Sequence, residues 1–418
     1  MSDALPSDLR AANPLDANRW SAWVKAQDLA IRQRLDRGTE DTLTNLLRFG
    51  VTFTKEYRID DEYLIRYGQS SLVNAFADNR AKDLVAALAD PNAPEGIAEM
   101  RRFVEHEGFS LKTPQERAKL TDYLLGNLAR LRDEFLKYRA QTKDEKRFQL
   151  FQDRGISLDT NLWPDYALDL QFRNMVEKRL LKPGSVRRIA IVGPGLDFAN
   201  KEAGNDFYPP QTIQPFAVLD SLFRLGIAEP ATVQLYTLDI SQEVNAHIQR
   251  AQQKATQGRS YTVQLPWNTE RPMSDEYRAN FTAYWHALGE KIGEPVAPIP
   301  VPSAAAGTKT RALKVRPEIV QKVTALDMNV VYQRLDLSSE QAFDLVIGTN
   351  IFVYYREFEQ LLARANVAAM LKPGGYLLSN DKLADKVTLG LDDVLETPIT
   401  SSVQPLVQDT MFCYQRSK

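Results

Sequence analysis

The sequence is poor in the residues that staple or metallate a small fold. Its 418 residues hold one cysteine, Cys413. No disulfide can therefore close within the chain, and no cysteine-based metal cluster can form. A reducing, cytoplasmic setting is the expectation. The three histidines, His106, His247 and His286, make no H-x-x-x-H or H-E-x-x-H spacing, so no metal site is expected. No run of about 18 apolar residues exists, which removes a membrane-spanning helix from the expected elements. The opening MSDALPSDLR lacks the basic-then-apolar pattern of a secretory signal. Excess charge is missing as well. Basic residues number 52 and acidic residues 54, a net charge of -2, so no wholesale attraction to nucleic acid or an anionic membrane is expected. No internal repeat and no Ser-His-Asp spacing is visible.

What is present is ordinary globular material, with 44% hydrophobic and 25% charged residues. The length exceeds one ordinary core and predicts two or three domains. The pattern divides into a helical N-terminal domain (1–150), a connecting segment with one helix (151–186), and an α/β domain (187–418) interrupted by an insertion at 257–316. In the first part Trp20, Trp23, Ile31 and Leu35 recur at helical spacing. A helix is best marked at Thr113. Thr113 is the cap, Pro114 suits the first helical position, and Glu116 completes a capping box. Leu120, Leu124, Leu128, Leu131, Phe135 and Tyr138 follow on one face.

The α/β pattern opens on RIAIVGPGLD, residues 188–197. Ile189 to Val192 form a continuous apolar run, as in a parallel strand covered on both faces. Gly193 and Gly195 then permit a tight turn and close approach of backbone to a ligand. Further strands are predicted at 233–238, 330–335, 343–348 and 376–379, with an antiparallel pair within 398–414. Helices are expected at 215–225, 241–254, 317–326 and 357–371. In the insertion, 261–265 reads as a strand, 275–292 as a helix and 294–307 as a loop. The fold class is α/β: a Rossmann-like, mostly parallel sheet with an antiparallel terminal strand, preceded by an all-α domain.

A glycine turn after the first strand of such a sheet places a small molecule beyond the strand ends. Dinucleotide sites usually want a third glycine, and here that position is Phe198, whose ring argues against a diphosphate on the helix N-terminus. S-adenosylmethionine carries no phosphate and needs acidic partners instead. Asp197 is placed to meet its ammonium group and Asp239, at the end of the second strand, its ribose hydroxyls. The connection 198–214 is long for its place and reads as a lid or wall, with Phe207 and Tyr208 covering the cofactor.

The segments VGPGLD, YTLDIS, YQRLDL, FDLVIGTNIFVYY and LKPGGYLL, in that order, resemble a class I S-adenosylmethionine-dependent methyltransferase over about residues 188–416. The resemblance implies that Gly193, Pro194 and Gly195 line the methionine part of the cofactor and that Asp239 holds the ribose. Ile240 would pack on adenine, and Asp336 and Leu337 would reach its amino group and ring. Asn350 and Ile351 would lie beside the transferred methyl. Tyr354 and Tyr355 are the candidates for contact with the acceptor, a small molecule or a protein side chain. From 239 to 375 the chain is also similar to the chemotaxis receptor glutamate methyltransferases, through VRPEIV and FDLVIGTNIFVYY, although Thr349 stands where that family has arginine. Ile191 stands where an acid is typical of the wider class, and Asp197 where a third glycine is common. These departures keep open a second reading, a cofactor-binding or scaffold module without turnover.

Overall fold

The computed structural model describes residues 17–141, 155–156, 160–197, 206–269, 273–305, 307–383, 389–403 and 406–417. Phe198 lies outside them.

The N-terminal part is helical: α1 (Ala17–Phe49), α2 (Asp61–Arg66), α3 (Ser71–Ala89), α4 (Glu95–His106) and α5 (Pro114–Ala140). Helix α5 begins at the expected capping box. The Thr113 hydroxyl accepts from the Glu116 N–H at 3.3 Å, and the Glu116 carboxylate accepts from the Thr113 N–H at 2.9 Å. Its leucine stripe packs on Leu43, Leu47, Leu84 and Val104 of the other helices, while Tyr138 at the far end is exposed. Arg80 is fully buried on α3, and its guanidinium donates to the carbonyls of Leu47, Gly50, Glu56 and Tyr57. A buried cation is tolerated there because carbonyl oxygens replace its water.

Helix α6 (Leu162–Glu177) leads into β1 (Arg188–Val192), α7 (Gln214–Arg224), β2 (Gln234–Asp239) and α8 (Gln242–Thr256). The insertion supplies β3 (Tyr261–Asn268), α9 (Asp275–Ala287), β4 (Gly293–Val296) and β5 (Thr308–Val315). These are followed by α10 (Pro317–Val320), β6 (Val323–Asp327), β7 (Phe343–Gly348), α11 (Glu357–Met370), β8 (Leu371–Ser379), β9 (Leu391–Val403) and β10 (Leu406–Arg416). The main sheet has seven strands in the order β6-β2-β1-β7-β8-β10-β9. Its members pair in parallel from β6 to β8, and β10 runs antiparallel to both β8 and β9. Alternation along β1 sends Ile189 and Ile191 to one core and Ala190 and Val192 to the other. The insertion folds as a three-stranded antiparallel sheet, β3-β5-β4, which joins the first of these cores through Val263, Leu265 and Leu313.

Three sequence expectations are corrected. The third parallel strand is Val323–Asp327, paired with β2 from Leu235 opposite Val323 to Asp239 opposite Asp327; residues 330–335 are turn and coil. The helix expected over 317–326 is a single turn, Pro317–Val320, because its second half is that strand. The expected loop 294–307 begins as β4, held to β5.

Candidate cofactor cleft

The sheet order reverses between β1 and β7, so the crevice for a ligand lies beyond their carboxyl ends. At the end of β1 the Gly193 N–H donates to the Leu238 carbonyl at 3.0 Å. Gly193 and Gly195 have φ of +64° and +69°, a region that side chains other than glycine avoid. A Cβ on Gly193 would also come within 2.2 Å of the Ile351 Cδ1. The turn is thus closed over by the first residues after β7.

Asp239 ends β2 and is buried. Its Oδ1 accepts from the Ser241 N–H at 2.7 Å, and Ser241 in turn caps α8. Burial pushes its carboxyl up to about 7, against the pull of the Ser241 N–H. The cleft is lined by Gly193, Gly195, Asp239, Ile240, Ile351 and Tyr355, together with Met328 and Val330 just beyond β6. The Tyr355 phenol is fully enclosed, and burial pushes it well above its ordinary value, so it stays protonated.

The other expected residues lie elsewhere. Asp336 is exposed and Leu337 half-buried, and neither lines the cleft. The displaced third strand is the reason: the acid at its end is Asp327, with Met328 and Val330 following it toward the cleft. Asp197 is buried and engaged, accepting from the Tyr208 hydroxyl at 3.0 Å and from Gln211 Nε2 at 3.1 Å. Tyr208 is therefore a strut for Asp197, and neither it nor Phe207 lines the cleft. Pro194 is also absent from the lining. Asn350 takes a left-handed φ of +56° and is bound to Asn380. It faces a different cavity from that of its neighbour Ile351. Tyr354 is half-buried, and its carbonyl accepts from Arg34 Nη1 at 3.0 Å.

Helix α1 closes the cleft from outside. Leu35 and Ile156 line it, and the Ile156 N–H donates to the Arg34 carbonyl at 3.0 Å. Arg32 pairs with Asp327 at 2.8 Å and donates to the Ile240 carbonyl at 3.1 Å. Asp28 bridges Arg32 and the Asn329 side-chain amide. The free space in the cleft is about 30 Å³, room for about two waters. A larger cleft of about 820 Å³ lies between α1, α4 and the start of α8, and shares Leu35 and Ile240 with the small one. None of these contacts from α1 to the rest of the cleft had a sequence signal, because they join residues from about 120 to about 300 positions apart. Met328 and Val330 would have been found had the third strand been placed correctly.

A buried polar chain supports the turn from behind. Gln214 Nε2 on α7 donates to the Thr349 hydroxyl at 2.9 Å. Asp165 on α6 is fully buried, and the Gln214 side chain, the group that favours its charge, offsets little of the cost of that burial. Burial pushes it up to about 8, so it is mainly protonated at neutral pH.

A mostly parallel sheet of this order, with an antiparallel strand inserted before its last neighbour, is a Rossmann-like α/β fold. No family model and no curated protein matches the sequence. Among solved structures the chain is similar to magnesium protoporphyrin IX methyltransferase from Synechocystis PCC 6803, at 11% identity over 68% of this chain and 90% of that one, with a TM-score of 0.29. It is also similar to the N-methyltransferase NodS from Bradyrhizobium japonicum WM9, at 12% identity over 61% and 99%, with a TM-score of 0.27. A TehB-like methyltransferase from Corynebacterium glutamicum gives 10% identity over 62% and 100%, with a TM-score of 0.26. The fold assignment rests on the strand order and register.

The lining suits an adenosyl group in its chemistry: a buried carboxyl at the end of β2, glycine backbone at the end of β1, and apolar flanks from Ile240, Met328 and Val330. It does not suit one in its volume until Leu35, Ile156 and Ile351 move.

Proposed function

We propose that the protein is an S-adenosylmethionine-dependent methyltransferase acting on an oxygen or nitrogen of a small molecule or protein side chain. The observation that carries the reading is Asp239, a buried carboxyl facing the Gly193 turn where the sheet order reverses. When bound, the cofactor supplies a methyl group already activated by a sulfonium. The chain supplies alignment and exclusion of water. The Asp239 carboxylate accepts the ribose hydroxyls, and Ile240, Met328 and Val330 sandwich the adenine. The Gly193 and Gly195 backbone approaches the methionine part, and Ile351 borders the reacting end. Tyr355, held protonated, serves as a hydrogen-bond donor and not as a base. A base is required only for a weakly acidic acceptor. In this reading residues 1–150 form a domain that covers the cofactor, and the 257–316 insertion helps to wall the acceptor.

Calorimetric titration with S-adenosylhomocysteine tests the reading, using Asp239→Ala as the control. Binding by the parent protein that is lost in the variant supports it; equal affinity in both refutes the role of Asp239. A second reading, a cofactor-dependent binding module without turnover, is favoured by the closure of the cleft with the chain's own side chains. Labelled S-adenosylmethionine incubated with a cell lysate separates the two. Binding without transfer to any acceptor selects the second.

A further inference from the structure

A second cavity, of about 180 Å³, lies on the opposite side of the β7 end from the cofactor cleft. Asn350 lines it while the next residue, Ile351, lines the cleft. Asn350 holds a left-handed φ of +56° at this division. Besides Asn350, its walls include Ile399 and Ser401 of β9 and residues from four further places. Trp163 stands on the first turn of α6 and Tyr277 on α9. Asn380 follows β8, and Asp409 comes from β10.

The chemistry of these walls is one-sided. The Trp163 and Tyr277 rings, with centroids 6.1 Å apart and planes inclined by 34°, both border the cavity. Asp409 is the charged group among the described lining residues, and no lysine, arginine or histidine stands among them. Its Oδ1 accepts from the Thr410 N–H at 2.8 Å, whereas Oδ2 receives only a long 3.5 Å contact from Asn380. The stronger bonds of the Asn380 amide go to Asn350, at 2.8 and 2.7 Å. Lys382, two residues after Asn380, is paired with Glu396 at 3.7 Å and stands over the Phe412 ring. Aromatic rings and an under-used carboxylate attract an ammonium group, whereas an anion would meet only the neutral amides and hydroxyl of Asn161, Asn380, Gln408 and Ser401 and the repulsion of Asp409. The volume is below the roughly 300–1,000 Å³ of pockets that take whole ligands. It suits one end of a larger molecule.

We propose that this cavity binds the cationic end of an amine, held between Trp163, Tyr277 and Asp409. The inference rests on the methyl-transfer reading for its meaning, since it names an amine as the acceptor class, but its binding step is measured without the cofactor. The test is calorimetric titration of the full chain with benzylamine, benzyl alcohol and benzoate at pH 7. Benzylamine is expected to bind about ten-fold more tightly than either of the others. The preference for benzylamine over benzyl alcohol should vanish in Asp409→Asn, whose exposed side chain can change without unfolding the protein, as its melting temperature checks. Trp163→Ala should weaken benzylamine. Equal binding of benzoate and benzylamine, no binding of benzylamine, or a preference that survives in Asp409→Asn overturns the proposal. A parallel titration with S-adenosylhomocysteine reports on the cofactor cleft alone. Cofactor binding without amine preference leaves the methyl-transfer reading standing and removes this inference; amine preference without cofactor binding does the reverse.

Discussion

Arg32 on α1 holds Asp327 at the end of β6 at 2.8 Å, while the same guanidinium donates to the carbonyl of Ile240 at 3.1 Å. One side chain thus ties the first helix to the ends of two neighbouring strands, above the surface where an adenine would lie. The pair is partly exposed, with about a quarter of Arg32 and half of Asp327 accessible, so it contributes at most about 1 kcal/mol. That is small for the fold and large enough to matter for opening. If α1 must move before the cofactor enters, Arg32→Ala lowers the cost of opening and tightens S-adenosylhomocysteine binding by up to about five-fold. Calorimetry on the parent and the variant checks this. Weaker binding in the variant would show that Arg32 is itself a ligand contact.

Gly38 and Gly155 meet backbone to backbone where α1 passes the segment carrying Ile156. A Cβ on Gly38 would lie 1.8 Å from the Ile156 carbonyl oxygen. Glycine to alanine inside a helix usually stabilises by about 1 kcal/mol. Here the collision outweighs that gain, so Gly38→Ala is expected to lower the melting temperature and push Ile156 out of the cleft. An unchanged or raised melting temperature would mean that the two segments separate at no cost.

The protonation of Asp239 predicts how cofactor affinity depends on pH. With its carboxyl held near 7, a large share is neutral at pH 6 and little at pH 8. Ribose hydroxyls are better received by the carboxylate. Affinity for S-adenosylhomocysteine should therefore rise from pH 6 to pH 8. Asp239→Asn should bind weakly and show a flat profile; a slope that persists in the variant would assign the effect to another group.

Asp165 makes a separate prediction about stability. Its folded-state carboxyl titrates near 8, above the value of about 4 expected in the unfolded chain. The folded state binds the proton more tightly. The stability this gives is fully present below pH 4 and is lost as the pH rises toward 8, by an amount on the order of a few kcal/mol. Asp165→Asn removes the loss. Denaturant melts at pH 5 and pH 8 should show a smaller decline in the variant than in the parent, and equal declines would place the ionisation elsewhere.

Local signals in the sequence were strong where chemistry is local. The apolar run of β1, the Gly193 turn and the Thr113 capping box were all legible, because each depends on residues within a few positions of one another. The third strand was misplaced because VTALDMNVVYQRL holds two apolar stretches. The second, Val330 to Leu335, has the better strand pattern, and only pairing with β2 selects the first. That slip carried Asp336 and Leu337 into the site in place of Met328 and Val330. Asp197 looked available because its partners, Tyr208 and Gln211, come from a connection whose path no periodicity foretells. The second cavity was invisible for the same reason: Trp163, Tyr277, Asn380 and Asp409 meet only in the folded chain.

Helix α1 belongs to two cores at once. Its later turns place Leu43, Leu46 and Leu47 among the N-terminal helices, whereas Ile31 is buried with Val346 and Leu377 of the sheet, and Trp23 packs edge-on against Tyr332 and Phe358. On the ribosome, the first half of this rod emerges some 300 residues before its partners do. The helical part can settle early around Leu43 and Leu84, but a stripe bearing Trp23 and Ile31 stays bare until β7 and α11 have been made. Birth order and burial order run opposite ways in this chain, and its earliest apolar surface is among the last to be covered.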